Sequence, residues 1–213
     1  MPLYQKINLG NGSLLGIWNV EESIYELQSR LMLNEQELIF FNNLKKGKRN
    51  LHWLAGRVML RTLLETNEFI DVKEDEFGKP YLCNFDFELS ITHSYDYAGV
   101  IISKEKAGID IEKIKKDLWY LAPKFLSIKE MNDLDLNNRM KQLYIYWCVK
   151  ESIYKLWGKK ELAFKQNIIV KGFDYSPKGC VVAEIRKNGF QREYEVFFEE
   201  FVTGYMLAYV LEK

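Results

Sequence analysis

The sequence has few of the residues that build zinc sites, disulfide frameworks or histidine-dependent hydrolases. Its 213 residues include three cysteines and two histidines. Cys83, Cys148 and Cys180 lie far apart without the short spacing of a zinc site, and their odd number argues against a disulfide framework. The histidines stand in no Ser-His-Asp pattern, and the glycines form neither a dinucleotide-binding nor a P-loop motif. The lack of a disulfide framework favours a reducing, intracellular compartment.

The sequence also has no net charge and no long apolar run. Lys and Arg together number 30, as do Asp and Glu, so the composition carries no global footprint of nucleic-acid binding. No apolar stretch approaches the roughly 18–20 residues that span a bilayer. The N-terminal segment MPLYQKINLGNGSLLGIW lacks the basic and apolar regions of a signal peptide. We therefore expect a soluble, cytoplasmic protein with no nucleic-acid or membrane partner.

Helical patterns occur in both halves of the sequence. Hydrophobic residues make up 47% of the chain, enough for a sizeable core in one large domain or two small ones. Asn34 predicts the start of one helix, and apolar spacing predicts further helices over about 50–65 and 138–158. Gly158 predicts the end of the last helix.

Strand patterns lie between and after these helices. Three strands are predicted between residues 87 and 114, and Asn188-Gly189 predicts a β-hairpin in the C-terminal third. The strands that begin at Tyr97 and Tyr205, YAGVII and YMLAYV, resemble each other. This similarity is consistent with a weak internal duplication, but also with two ordinary strands.

The segment GIDIE, residues 108–112, carries two acids on one side of a predicted strand. Side chains at i and i+2 of a strand point to the same face. If the two isoleucines face the core, Asp110 and Glu112 therefore face the other way together. Their spacing leaves two interpretations open: solvent-facing acids on an exposed edge, or half of a metal site.

A third acid lies in the longest predicted helix. Glu151 precedes Lys155 by four residues, the spacing of a surface ion pair on one helix face. The alternative is that Glu151 completes a three-carboxylate site with Asp110 and Glu112. Mg²⁺ takes carboxylate oxygens, keeps several waters and bridges to substrate phosphates.

Candidate phosphate-binding side chains lie upstream of these acids. His93, in a polar turn, can donate a hydrogen bond to a phosphate, and Thr92 adds a hydroxyl. Arg49 and Arg57 are eight residues apart, so they can share one edge of a helix and grip an anion. For each of these side chains, a solvated surface position is the alternative interpretation.

Five segments taken together resemble a known family. FGKPYL, LSITHSYDYAGV, GIDIE, FLSIKE and WCVKESIYKLWG occur in the order found in Sfp-type 4′-phosphopantetheinyl transferases of the holo-carrier-protein synthase superfamily. The resemblance covers about residues 45–160, and the pairing of GIDIE with W-x-x-K-E-S-x-x-K at this separation is a specific signature. Thr92 stands where many members have serine, and His52 stands where some have arginine.

The resemblance implies a Mg²⁺-dependent enzyme. It would transfer the 4′-phosphopantetheine arm of coenzyme A to a serine of an apo acyl carrier or peptidyl carrier protein, releasing adenosine 3′,5′-bisphosphate. The implied fold is α+β, a pseudo-twofold pair of similar α/β subdomains with antiparallel sheets and packed helices. The subdomains would span residues 1–105 and 106–213, with the active site in the cleft between them. The resemblance also implies a monomer that serves fatty-acid, polyketide or nonribosomal peptide biosynthesis.

The resemblance assigns roles to acids and a lysine at the cleft. Asp110, Glu112 and Glu151 would hold Mg²⁺, and Glu151 or Glu112 would take the proton of the carrier serine. Lys155 would stabilise or protonate the leaving phosphate. Glu130, in FLSIKE, would act as an auxiliary base.

The resemblance also implies a set of coenzyme A contacts. Lys79 would line the nucleotide pocket, and Arg49 and Arg57 would hold the 3′-phosphate. Thr92 and His93 would contact the phosphates, whose charge nearby lysines would neutralise. The predicted contacts are Arg49, Arg57, Lys79, Thr92, His93, Lys150 and Lys155.

Two other functions are compatible with parts of the pattern. One is a Mg²⁺-dependent hydrolase of nucleotide pyrophosphates, and the other is a non-catalytic module that binds coenzyme A or a carrier protein. The sequence has no separate motif for a nucleophilic water, which disfavours the hydrolase. The intact acids and Lys155 disfavour the binding module.

Overall fold

The computed structural model describes residues 3–44 and 47–212, which form eleven strands and seven helices. The strands are β1 (Leu3–Gly10), β2 (Ser13–Asn19), β3 (Val72–Glu74), β4 (Pro80–Leu82), β5 (Glu88–Ser94), β6 (Tyr97–Ser103), β7 (Ala107–Lys113), β8 (Ile168–Val170), β9 (Lys178–Lys187), β10 (Phe190–Val202) and β11 (Tyr205–Leu211). The helices are α1 (Ile24–Gln28), α2 (Glu35–Asn43), α3 (Lys48–Leu64), α4 (Ala122–Phe125), α5 (Ile128–Asn132), α6 (Arg139–Trp157) and α7 (Phe164–Asn167).

The predicted ends of these elements are confirmed where the sequence carries a strong local signal. Asn34 caps α2, and its side chain accepts a hydrogen bond from the backbone N–H of Glu37 at 2.8 Å. Gly158 ends α6 with a φ of 70°, a left-handed conformation that favours glycine. Asn188 and Gly189 both have positive φ and join β9 to β10 as a hairpin. Within the described residues, no helix is long and apolar enough to cross a membrane.

Two antiparallel sheets form the framework, one in each half of the chain. The N-terminal lobe holds the sheet β1-β2-β6-β5 with α1–α3, and the C-terminal lobe holds the sheet β7-β11-β10-β9-β8 with α4–α7. Strands β3 and β4 form a separate hairpin. The predicted α+β fold is confirmed. The predicted boundary after residue 105 falls in the link between β6 and β7, and it stays a prediction as a domain boundary.

One long helix packs on each sheet at an equivalent place. Helix α3 packs against β2 and β6, and α6 packs against β7 and β11. Leu54 and Met59 of α3 are fully buried, as are Val149 and Ile153 of α6. The similar strands β6 and β11 therefore have the same place in the two lobes: each is the second strand of a hairpin and packs against the long helix.

A separate apolar cluster lies between the two sheets. Leu15 and Ile17 of β2 meet Ile109 and Ile111 of β7 there, and all four are fully buried. The isoleucines of GIDIE thus face the core, as predicted. Because side chains alternate along a strand, the two acids of GIDIE project from the opposite face of β7.

The turn between β5 and β6 also ties the lobes together. Asp96 in this turn accepts hydrogen bonds from the Tyr205 hydroxyl of β11, from Lys113 of β7 at 2.9 Å and from Lys48 of α3 at 3.1 Å. These donors hold the pKa of Asp96 well below its usual range. The turn of the N-terminal lobe is therefore anchored to the two strands at the near edge of the other sheet.

Helix α6 approaches β7 very closely at Gly108. A Cβ atom at this position would lie 1.9 Å from the backbone oxygen of Ser152, far inside van der Waals contact. The first residue of GIDIE therefore lets the helix that carries Glu151 and Lys155 lie directly over the strand that carries Asp110.

Replacing Gly108 should separate α6 from β7. We expect Gly108→Ala to lower the free energy of unfolding by about 2–3 kcal/mol or more, because the new methyl group overlaps backbone that cannot rotate away. Urea denaturation measures the change. Gly56→Ala in α3 is the matched control, since its Cβ would lie 3.5 Å from Ile91, and we expect equal or higher stability. Equal stability of the two variants would contradict the close approach of α6.

Candidate active site

The acids of GIDIE lie where the edge strands of the two sheets meet. Three hydroxyls of β5, those of Ser90, Thr92 and Ser94, accept hydrogen bonds from alternate backbone N–H groups of β7 at 3.2, 3.2 and 3.1 Å. These bonds hold β5 of the N-terminal lobe against β7 of the C-terminal lobe. The acids of β7 are thus placed at the border between the lobes.

Asp110 has one oxygen with partners and one without. The residue is 4% exposed. Its Oδ1 accepts hydrogen bonds from Lys155 Nζ at 2.7 Å and from Thr92 Oγ1 at 3.1 Å. Its Oδ2 is buried and has no hydrogen-bond partner among the described residues. A buried carboxylate oxygen without a donor is costly, so Oδ2 points to a ligand that the chain itself does not supply.

Glu112 and Glu151 share the environment of Asp110. Burial raises the pKa of Glu112, and the charge of Asp110 raises it further, while Ser94 donates a hydrogen bond to its Oε2 at 3.0 Å. Burial likewise raises the pKa of Glu151 to about 7, with the charges of Asp110 and Glu112 adding to the effect. Three carboxylates from β7 and α6 therefore repel one another in a desolvated place.

These three carboxylates fit a divalent cation by their chemistry. All their donors are oxygen atoms, which Mg²⁺ prefers. A cation would satisfy the Oδ2 atom of Asp110 and relieve the repulsion that raises the pKa values of Glu112 and Glu151. Across residues 3–44 and 47–212, however, no three histidine, cysteine, aspartate or glutamate side chains converge as a formed metal site. The predicted Mg²⁺ ligands stay a prediction.

Lys155 pairs with β7 rather than with a neighbour on its own helix. Its Nζ donates to Asp110 Oδ1 at 2.7 Å and to the backbone oxygen of Ile109 at 2.9 Å. The alternative of a simple surface ion pair with Glu151 is therefore wrong. Lys155 places one positive charge among three carboxylates, so it offsets only part of their negative charge.

Lys150 lies in the core of the C-terminal lobe, so its predicted contact with coenzyme A is wrong. Its side chain has no exposed surface. The ammonium donates to Glu130 and to the backbone oxygens of Phe125, Phe164 and Ile168 at 2.7–3.1 Å. It thereby joins α4, α5, α6 and β8, and it cannot reach a ligand in the cleft.

Glu130 is the buried partner of Lys150, so its predicted role as an auxiliary base is wrong. The residue is 1% exposed. Its carboxylate lies 2.8 Å from Lys150 Nζ and accepts hydrogen bonds from the backbone N–H groups of Ser127 and Val170. Together with Ser127 it forms a capping box at the start of α5. All these contacts are structural.

The hydroxyl of Thr92 makes two hydrogen bonds within the protein. The residue is 5% exposed. Its hydroxyl donates to Asp110 Oδ1 and accepts from the backbone N–H of Ile111. A hydroxyl has a single proton to donate, and that proton is used inside the protein. The predicted contact of Thr92 with coenzyme A phosphate stays a prediction.

His93 stands at the edge of the cleft and stacks on His52. The ring centroids are 4.5 Å apart, and Nε2 of His52 donates to the backbone oxygen of Tyr95 at 2.8 Å. Desolvation, followed by the neighbouring His52, Lys155 and Arg49, lowers the pKa of His93 to about 4. The free protein therefore holds a neutral His93 next to Lys155 and Arg49. A bound anion would offset the positive charge of these two neighbours.

The two predicted arginines line one cavity but differ in their freedom. Arg49 and Arg57 both lie in α3 and border the cavity that also contains His93. Arg49 is exposed. The side chain of Arg57 is 16% exposed, donates to Glu37 at 3.2 Å and stacks 3.6 Å from the centre of the Trp53 ring. Arg49 is thus the more available of the two for an anion.

Lys79 borders a neighbouring cavity together with Lys155. Asp75 accepts hydrogen bonds from the backbone N–H groups of Phe77 and Lys79, which holds the β3–β4 turn in shape. The Nζ of Lys79 lies 3.3 Å from Glu88. Lys79 thus lies on the N-terminal lobe opposite α6, and its contact with coenzyme A stays a prediction.

Several residues of this region have no role in the sequence-based prediction. Lys159 and Lys160 line the same cavity as Lys79 and add positive charge. Ser94 binds Glu112. A signal for Ser94 existed, because LSITHS alternates hydroxyls with the same period of two as the acids in GIDIE. Apart from their position after the glycine that ends α6, no pattern in the sequence marks Lys159 and Lys160.

Fold and site together define a two-lobed α+β protein with one buried and two half-buried carboxylates in a cleft bordered by cationic side chains. Residues 106–210 match the family model described as the 4′-phosphopantetheinyl transferase superfamily. This part of the chain is similar to that superfamily, which confirms the resemblance. The matched range contains all three acids of the cleft.

Curated relatives agree with this family. The 4′-phosphopantetheinyl transferase gsp of Aneurinibacillus migulanus is 29% identical over 59% of the chain and 54% of its own length. AcpT of Salmonella typhi, named a 4′-phosphopantetheinyl transferase, is 30% identical over 57% of the chain and 61% of its own length. A 4′-phosphopantetheinyl transferase of Bacillus subtilis is 35% identical over 39% of each chain. The similarity thus spans about half the length of these relatives.

Removing the buried ammonium of Lys150 should test its structural assignment. We expect Lys150→Met to lower the free energy of unfolding by about 3–5 kcal/mol, because Glu130 would remain buried without a counter-charge. The matched control is Lys171→Met, which breaks the ion pair with Glu193, where both side chains are about half exposed. We expect a change within about 0.5 kcal/mol for this control. Similar losses for both variants in urea denaturation would contradict the assignment.

Proposed function

We propose that this protein transfers the 4′-phosphopantetheine arm of coenzyme A to a serine hydroxyl of an apo acyl carrier or peptidyl carrier protein. The observation that carries the proposal is the buried Oδ2 atom of Asp110, which has no partner among the described residues and shares its surroundings with Glu112 and Glu151. The names of the relatives support the same reaction class.

The three carboxylates are the residues that would hold Mg²⁺. When bound there, Mg²⁺ would polarise the reacting phosphate and offset the charge that develops on the leaving group. Asp110 would offer its Oδ2 atom, since Lys155 and Thr92 already occupy Oδ1. Glu112 and Glu151 would complete the protein side of the shell.

Cationic side chains from both lobes would bind the donor. Lys155 from the C-terminal lobe would neutralise the leaving phosphate, and Lys79 from the N-terminal lobe lies beside the same cavity. His93 and Arg49 would bind the other phosphate of the nucleotide end, in the cavity that they share. Donor binding would thus use residues on both sides of the lobe border, from His93 and Lys155, 62 positions apart, to Arg49 and Lys155, 106 positions apart.

The transfer itself moves one phosphoryl group and one proton. The serine oxygen of the carrier forms a bond to the phosphorus that bears the pantetheine arm, and the bond from that phosphorus to the leaving phosphate breaks. Adenosine 3′,5′-bisphosphate leaves. The serine proton passes to a carboxylate of the cleft, and Glu151 is the first candidate. Glu112 is the alternative base.

We further propose a monomer that works in the cytoplasm on carriers of fatty-acid, polyketide or nonribosomal peptide biosynthesis. A single chain supplies both walls of the cleft, which supports a monomer. The three widely spaced cysteines support a reducing compartment.

Mass spectrometry of carrier proteins tests the transfer. We expect apo carriers mixed with the protein, coenzyme A and Mg²⁺ to gain one phosphopantetheine arm, and chelation of Mg²⁺ to stop the reaction. Asp110→Asn should slow transfer by at least roughly 100-fold, because it weakens the charge that would hold the cation. Asp86→Asn is the matched control, since that carboxylate is exposed and pairs with Lys104, and it should keep full activity.

Two outcomes would contradict the proposal. The first is the absence of an adduct on every member of a panel of fatty-acid, polyketide and peptide carriers. The second is release of adenosine 3′,5′-bisphosphate from coenzyme A without modification of any carrier, which would indicate a hydrolase.

A further inference from the structure

The edge of β7 that faces the N-terminal lobe is bound by side chains instead of a main-chain ladder. Ser90 accepts from the backbone N–H of Ile109, and Thr92 accepts from that of Ile111. Ser94 accepts from the next alternate N–H group, that of Lys113. The partners rise together in number, so β5 and β7 run in the same direction. The hydroxyls satisfy N–H groups that would otherwise be buried without acceptors.

Two of these three hydroxyls also bind the acids of the cleft. Thr92 Oγ1 donates to Asp110 Oδ1 at 3.1 Å, and Ser94 Oγ donates to Glu112 Oε2 at 3.0 Å. A hydroxyl that accepts from a fixed N–H group has one proton left to donate. The contact between the lobes therefore fixes the direction of that proton, and the proton in turn fixes one oxygen of each carboxylate.

The third hydroxyl provides an internal comparison. Ser90 accepts from β7 in the same way as the other two, and it is equally buried, with 3% exposure against 5% for Thr92 and 6% for Ser94. Its bond to Ile109 involves no carboxylate. Thr92 and Ser94 thus combine the strand contact with a carboxylate contact, whereas Ser90 makes the strand contact without a carboxylate.

We propose that Thr92 and Ser94 are positioning residues that orient Asp110 and Glu112 toward a divalent cation, so that cation binding depends on the docking of the two lobes. The inference rests on the proposed function, which requires a cation at these acids. With Thr92 and Lys155 on Oδ1, the Oδ2 atom of Asp110 is the oxygen left for the metal. Partners that orient metal ligands in this way typically change metal affinity 10–100-fold.

Binding of Mn²⁺ alone, used as a paramagnetic substitute for Mg²⁺, tests the inference without an activity assay. Electron paramagnetic resonance measures free Mn²⁺ and hence its affinity for the full chain. We expect Thr92→Val, which keeps the shape but removes the hydroxyl, and Ser94→Ala to weaken Mn²⁺ binding by at least about 10-fold. Thr92→Ser keeps the hydroxyl, so its affinity for Mn²⁺ should stay within about twofold of that of the unaltered protein. This change is well below the weakening expected for Thr92→Val.

Ser90→Ala is the matched control. It removes one hydroxyl of the same strand contact, so urea denaturation should show a loss of stability comparable to that of Thr92→Val, while its Mn²⁺ affinity should be unchanged. A merely structural role of the hydroxyls would instead weaken Mn²⁺ binding equally in Ser90→Ala and Thr92→Val, which would overturn the inference. Ser94→Ala provides the same comparison if Thr92→Val does not fold.

The outcomes separate this inference from the proposed function. Unaltered protein that binds Mn²⁺, with Thr92→Val and Ser94→Ala binding it equally well, overturns the positioning role alone. Unaltered protein that binds no Mn²⁺ at millimolar concentration, and modifies no carrier, overturns the proposed function and this inference with it.

Discussion

The cleft depends on the contact between two sheet edges, β5 and β7, which are joined by hydroxyl side chains rather than by main-chain pairing. An open edge buried without partners would be costly. Here the hydroxyls satisfy the N–H groups of β7, and the apolar cluster between the sheets closes one side of the joint. The two lobes therefore stay distinct, and the acids of β7 lie at their border, within reach of cationic side chains from both.

Burial at this border determines the electrostatics of the site. Water would screen three neighbouring carboxylates on an open surface, but desolvation and mutual repulsion raise the pKa values of Glu112 and Glu151. Lys155 compensates only part of the charge through Asp110. The close packing of α6 on Gly108 maintains this arrangement, because it holds the helix acid above the strand acids. An added cation, and a phosphate bridged by that cation, would stabilise a site of this kind.

Patterns of local origin were predictable from the sequence, whereas contacts across the lobe border were not. Alternation predicted the strand of GIDIE and the face of its acids. Lys150 was misplaced because consecutive helix residues point about 100° apart, so it enters the core while Glu151 faces the cleft. Glu130 follows Ser127 at the spacing of a capping box, which accounts for an acid there without catalysis. The partner of the Thr92 hydroxyl depends on how the lobes dock, and no local pattern encodes it.

The most direct test of a cation-binding cleft is the anomalous difference density of Mn²⁺ in crystals of the protein grown with Mn²⁺ and coenzyme A. The account predicts one strong peak within bonding distance of Asp110 Oδ2, with Glu112 and Glu151 as further ligands and the pyrophosphate of coenzyme A against it. Coenzyme A bound in the cleft with no peak at these carboxylates, or with its pyrophosphate held by lysines alone, would contradict the account.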